Sequence, residues 1–147
     1  ASGDGGAVFI YGENDAQRSS LSVNRNAVFH KNACRGDGGA LAVVAAGEVS
    51  FTTTNVTFSQ NSAHVAGGAV AVKGAGIGPR FTGVTFVSNQ AQIGGAAYIT
   101  SSGTITTENE SGVQMQHPTT FDRCMFVGNE ARATGGAIDT GAGLDVI

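Results

Sequence analysis

Four aspartates are the residues of this chain best placed, by type and spacing, to do chemistry. Asp4 and Asp37 each sit in a Gly-Asp-Gly-Gly run, so they hold the same position in two copies of one motif. Two carboxylates stacked that way could bridge a calcium ion, which takes about six to eight oxygen ligands. The simpler use of aspartate at a glycine-rich corner is to accept hydrogen bonds from exposed turn amides, and that is the expected role. Asp122 and Asp139 fall at other positions of the repeat. Enzymes that cleave polysaccharides bring carboxylates together on one face, often beside a basic residue or calcium. No histidine or arginine is spaced to complete such a set here. His30, His64 and His117 stand at three unrelated positions, which supports neither a metal site nor a catalytic base. No catalytic residue, metal or cofactor is therefore expected.

Several shorter motifs concern binding and modification. Arg35-Gly36-Asp37 is the tripeptide that integrins read, and it is expected in an exposed corner, where the repeat already accounts for Gly-Asp. Asn55-Val56-Thr57 and Asn109-Glu110-Ser111 are glycosylation sequons, so Asn55 and Asn109 are candidate glycan carriers. The serines and threonines lie in no nucleophile motif. Gly74-x-Gly76-x-Gly78 lacks the following helix that a phosphate loop needs. Thr52-Thr53-Thr54 and Thr104-x-Thr106 do not line up into the flat row an ice-binding face would need.

Composition narrows the partners. The chain has 147 residues, 41% of them hydrophobic, which is one domain's worth and enough to fill a core. Charged residues make up 13%, against roughly 25% in an average soluble protein, and glycine is 23 of 147. Together these point to closely stacked backbone, because a disordered glycine-rich linker would lack the regular Val, Ile, Leu and Phe found here. A formal charge of −3, with eight Lys and Arg scattered singly, argues against nucleic acid and against anionic membranes. No apolar run approaches the roughly 20 residues that span a bilayer. There is no signal-peptide pattern, and both ends fall inside a repeat, so the chain reads as an interior or processed piece of something longer.

Those repeats define the architecture. Gly-Gly pairs begin at residues 5, 38, 67, 94 and 135, so successive starts are 33, 29, 27 and 41 residues apart, the signature of a solenoid. After each pair the apolar residues alternate, as in Leu41 and Val43 or Val70 and Val72, which is the period of a strand. A second short strand ends each unit with an inward row, Val56 and Phe58 or Val84 and Phe86, extended by Phe81 and Phe121 in two copies. Phe9 lies on the opposite parity. With two or three short strands per unit and no helical period, the expected fold is all-β, a parallel β-helix with about one coil per repeat. Right-handed coiling is expected by analogy with parallel crossovers. The whole of 1–147 reads as one β-helical segment, with 101–118 as a loop insertion out of the coil that holds a hairpin of Thr104–Thr107 against Val113–Gln116.

Two columns are expected to hold the stack. Phe29, Phe58, Phe86 and Phe126 recur at one position and would form an aromatic pile. Three residues later come Asn32, Asn61, Asn89 and Asn129, where identical amides one rung apart can hydrogen-bond and hold the bend. The Gly-Gly pair supplies either positive φ or close contact between rungs. Cys34 replaces Ala63, Ala91 and Ala131 in one apolar column, and Cys124 replaces Ala27, Val56 and Val84 in another, so both read as small core residues. Rungs of ~4.8 Å put them roughly 14 Å apart, whereas a disulfide needs Cα atoms within about 7 Å.

A phenylalanine, two variable residues and an asparagine, followed by Gly-Gly-Ala-aliphatic, resembles the repeat of the chlamydial polymorphic outer-membrane proteins. The resemblance covers nearly all of residues 5–140. It implies the secreted passenger of an autotransporter, a right-handed β-helix displayed on the cell surface and used in adhesion. Similar repeats occur in large extracellular proteins of other microbes, algae included. The function expected is therefore that of a structural or adhesive segment of an extracellular, cell-surface rod, with a filament or appendage subunit as a variant. The alternative is a non-catalytic fragment of a polysaccharide-acting β-helix enzyme. Flanking coils or like subunits stacked end to end are the expected partners. On the adhesive reading a host-cell or matrix receptor, or glycans, would join them.

Overall fold

The computed structural model describes residues 1–12, 19–45, 49–74, 79–100, 107–108, 114–115 and 119–141. The first coil runs through β1 (Val8–Gly12), β2 (Ser19–Asn24), β3 (Val28–His30) and β4 (Ala33–Cys34). The second repeats it as β5 (Leu41–Ala45), β6 (Val49–Thr54), β7 (Thr57–Ser59) and β8 (Ser62–Ala63). The third comprises β9 (Val70–Gly74), β10 (Arg80–Thr82), β11 (Thr85–Val87) and β12 (Gln90–Ile93). In the fourth, β13 (Ala97–Thr100) is followed by a short antiparallel pair, β14 (Thr107–Glu108) with β15 (Gln114–Met115), and then by β16 (Thr120–Asp122), β17 (Met125–Val127) and β18 (Glu130–Thr134). Strand β19 (Ile138–Thr140) opens a further turn. The hairpin expected over Thr104–Thr107 and Val113–Gln116 overlaps the β14–β15 pair, and its other residues lie outside those described.

Every other strand pairs in parallel with its equivalents in the neighbouring coils, giving the stacks β1-β5-β9-β13-β19, β2-β6-β10-β16, β3-β7-β11-β17 and β4-β8-β12-β18. This is a parallel β-helix. Among the described residues a coil has four stacked strands rather than two or three. The additional ones, such as Ala33–Cys34, are too short to leave an alternating pattern in the sequence.

Three corners per coil adopt positive φ. Asn26, Asn55, Gly83 and Arg123 turn the chain from the second stack into the third, with φ of 62°, 53°, 60° and 51°. Lys31, Gln60, Ser88 and Gly128 turn it from the third into the fourth, at 56°, 54°, 53° and 58°. Side chains are tolerated at both corners, at about 1–2 kcal/mol each. The third corner is glycine in every copy, and Gly38 shows why: its φ is +68°, and a Cβ there would run into the carbonyl of Leu41. The second glycine of the pair answers a different need. A Cβ on Gly39 would overlap the carbonyl of Gly68 one coil away.

The interior is filled from the inward parity. Leu41, Val43, Val56, Phe58, Val70, Val72, Phe81, Val84, Phe86 and Ile99 are fully buried. Phe29, Phe58, Phe86 and Phe126 are in register and stack nearly parallel, with centroids 4.9, 5.2 and 4.8 Å apart. Phe81 and Phe121 form a second pile at 4.7 Å. Its rings meet the first edge-on at 5.9 and 5.6 Å, the favoured geometry for opposed ring quadrupoles. In the second coil the position of Phe81 is taken by Thr53, whose buried hydroxyl has no partner. Leaving it so costs about 1–3 kcal/mol.

Parity alone does not decide exposure. Phe9 on β1 is 51% exposed, yet Ala42 and Ala71, its counterparts on β5 and β9, are 0% and 1% exposed. At Gly38 the chain doubles back tightly enough for Asp37 to reach Lys73, on the same outward parity of β9. Asp37 thus lies against the outer face of the first stack, whereas Phe9 sits on β1, the edge strand of that stack.

The two faces differ in what they contribute to stability. Phe58→Ala should destabilise the fold by about 3–5 kcal/mol through the cavity it leaves. Phe9→Ala should cost less than about 1 kcal/mol. Urea denaturation of both variants checks this: equal losses would mean that both faces are packed alike, and a larger loss for Phe9→Ala that they are reversed.

Candidate functional site

The asparagine column is the most completely bonded polar feature of the interior. Asn61 Oδ1 accepts from the backbone N–H and the Nδ2 of Asn32, both at 3.0 Å. Asn61 Nδ2 donates to Asn89 Oδ1 at 2.9 Å and to the carbonyl of Phe29 at 3.0 Å. Asn89 repeats the pattern toward Asn129 Oδ1 and the carbonyl of Phe58, and Asn129 Nδ2 donates to the carbonyl of Phe86. Asn61 and Asn89 are fully buried. Every hydrogen-bonding position of the Asn61 amide is used within this column, which leaves it nothing with which to bind a ligand.

The aspartates do not converge. Asp4 Oδ1 accepts the backbone N–H of Asp37 at 2.8 Å, so one coil's aspartate caps the next coil's corner. Asp37, expected in an exposed corner, is only 6% exposed. It packs against the outer face of β9, where its carboxylate contacts the Lys73 ammonium, which also lies 5.6 Å from the centre of the Tyr98 ring. A receptor reading Arg35-Gly36-Asp37 through a free carboxylate would not find one presented. Asp122 pairs with its neighbour Arg123 at 3.2 Å at the surface, and Asp139 lies in β19. Among the described residues no group of three or more His, Cys, Asp or Glu could hold a metal ion.

The remaining candidates are dispersed. The His30 ring hydrogen-bonds the Ser59 hydroxyl at 2.9 Å, His64 is exposed beyond β8, and His117 lies outside the described residues. Cys34 is buried with Ala63 and Ala91, Cys124 packs against the aromatic core, and both are free thiols. Burial pushes both thiols above the ordinary range, so neither is a thiolate nucleophile at neutral pH. Asn55 is exposed at its positive-φ corner, with Thr57 opening β7, whereas Asn109 lies outside the described residues. Thr53 points inward, so the Thr52–Thr54 run presents no continuous threonine row, and Thr104 and Thr106 are outside the described residues. Gly74 ends β9, residues 75–78 are outside the described residues, and no described residue is helical.

These features define a class: a repeat protein built as a parallel β-helix, whose repeated residues serve the stack. Residues 55–77 match the family model of the Chlamydia polymorphic membrane protein repeat. That span carries Phe58, Asn61 and Gly67-Gly68-Ala69-Val70, and the same columns recur in the other coils. No curated protein and no solved structure matches the chain. Among the described residues, no helix is long and apolar enough to cross a membrane.

Removing one amide tests the column. Asn61→Ala strips two acceptor contacts from Asn32 and one donor each from Phe29 and Asn89. A loss of about 2–4 kcal/mol is expected in thermal or urea unfolding. The exposed Asn24→Ala serves as control, and a neutral Asn61→Ala would mean that water already satisfies these groups.

Proposed function

We propose that this chain is a structural and adhesive segment of a β-helical rod displayed on a cell surface, stacked end to end with flanking coils or like subunits. The observation that carries the reading is the match of residues 55–77 to a repeat named for membrane proteins, in a solenoid that extends its columns through neighbouring coils. The geometry supports a non-catalytic role, because the repeated polar groups are spent on one another and the aspartates are dispersed. On this reading 101–118 is an excursion from the coil, where specificity is commonly added, and Asn55 and Asn109 are acceptors for glycans if the source glycosylates.

Antibodies raised against the chain should label intact, unpermeabilised cells of the source, and beads coated with the chain should attach to target cells above albumin-coated beads. Labelling that appears only after permeabilisation would overturn surface display. Surface labelling with bead attachment at the albumin level would leave a structural rod and remove adhesion.

A further inference from the structure

The short strands that follow the asparagine column leave a groove of about 220 Å³ on the outside of the solenoid. Cys34 pairs with Ala63, Ser62 with Gln90, and Ala91 with Ala131, and just beyond these pairs, where a bulge at Gln92 breaks the register, Arg35, His64, Gln92 and Arg132 from four successive coils line the groove together. Successive coils are one rung, about 4.8 Å, apart. The small buried residues Cys34, Ala63 and Ala91 of the same strands also line the groove. Arg35, His64, Gln92 and Arg132 are exposed, as are Ser62 and Gln90 beside them. Among the described residues neither arginine has a carboxylate partner.

We propose that this groove binds an acidic oligosaccharide, a linear sugar chain bearing carboxylate or sulfate groups. The arginines stand in the first and last of these coils, and each guanidinium can grip a carboxylate or sulfate with two parallel hydrogen bonds. Gln92, Gln90 and Ser62, between them, offer the donors and acceptors that sugar hydroxyls require. The rung spacing is close to the length of one sugar in an extended chain, so a linear ligand lying along the solenoid axis meets one polar side chain per sugar. A nucleic acid strand is the poorer fit: no Phe, Tyr or Trp lines the groove for a base to stack on, and the chain as a whole carries −3. The groove would serve a purely structural rod as well as an adhesive one, so the inference stands apart from the adhesive reading.

Titration calorimetry of the chain at low salt, with short heparin-derived, polygalacturonate and dextran oligosaccharides, tests it. Saturable binding of at least one acidic oligosaccharide, and none of neutral dextran, is expected. Binding of polygalacturonate shows that carboxylates suffice, and binding of the heparin-derived chain alone shows that sulfate is required. Arg35→Glu with Arg132→Glu should weaken binding about tenfold or more. Gln92→Ala should weaken it less, and Arg80→Ala, outside the groove, should leave it unchanged. Should the double variant fail to fold by circular dichroism, Arg35→Ala and Gln92→Ala interrogate the same set without reversing charge. The proposal is overturned if neither acidic oligosaccharide binds, or if Arg80→Ala weakens binding as much as the groove variants do.

Discussion

The hydrogen-bonded amides of Asn32, Asn61, Asn89 and Asn129 are the constraint around which the coils are arranged. The bend they occupy follows a positive-φ residue in every coil, and in three coils that residue is Lys31, Gln60 or Ser88, which carries a side chain. Such a conformation is unfavourable on its own. It is held because the amides of Asn61, Asn89 and Asn129 each accept the backbone N–H of the preceding coil's asparagine and donate to the carbonyl of that coil's phenylalanine. The aromatic pile stands three residues upstream, so the spacing of the coils that suits the amides also suits the rings. One coil cannot satisfy either column alone, and the stack is therefore cooperative along its axis.

The parts of the structure visible in the sequence are those where one residue type meets the same demand in every coil. Phe58, Asn61 and the pair Gly67-Gly68 each recur because ring stacking, amide pairing and a blocked Cβ leave little choice. The two other corners were hidden for the opposite reason. Their φ is also positive, but no nearby carbonyl excludes a Cβ as firmly as at Gly38, so Asn55, Arg123, Lys31 and Gln60 serve without a common signature. The burial of Ala42, Ala71 and Asp37 outside the inward row is a matter of tertiary packing, which period-two alternation does not encode. The set Arg35, His64, Gln92 and Arg132 was likewise invisible, since no residue type recurs through it and a bulge at Gln92 interrupts the repeat there.

Function on such a scaffold falls to what varies between coils. The inward and corner positions are repeated because they must be, and Asp4, Asp37 and the amides all satisfy neighbouring coils. The outward positions of the short strands are free of that duty. There the chain sets Ser62, Gln90 and Glu130 in one column and Arg35, His64, Gln92 and Arg132 just beyond it, a surface whose chemistry changes from rung to rung. Such a solenoid presents an outer face whose spacing is fixed from within by the stacked columns.

The most direct test of this account is hydrogen exchange of the side-chain amides of Asn61 and Asn89, followed by NMR beside that of Asn24, which is exposed. If the amide column holds the coils together, the Nδ2 protons of Asn61 and Asn89 exchange only when the coils open, roughly a hundredfold or more slowly than those of Asn24. Exchange of all three at the same rate would show that the amides are open to water and that the coils are held by something else.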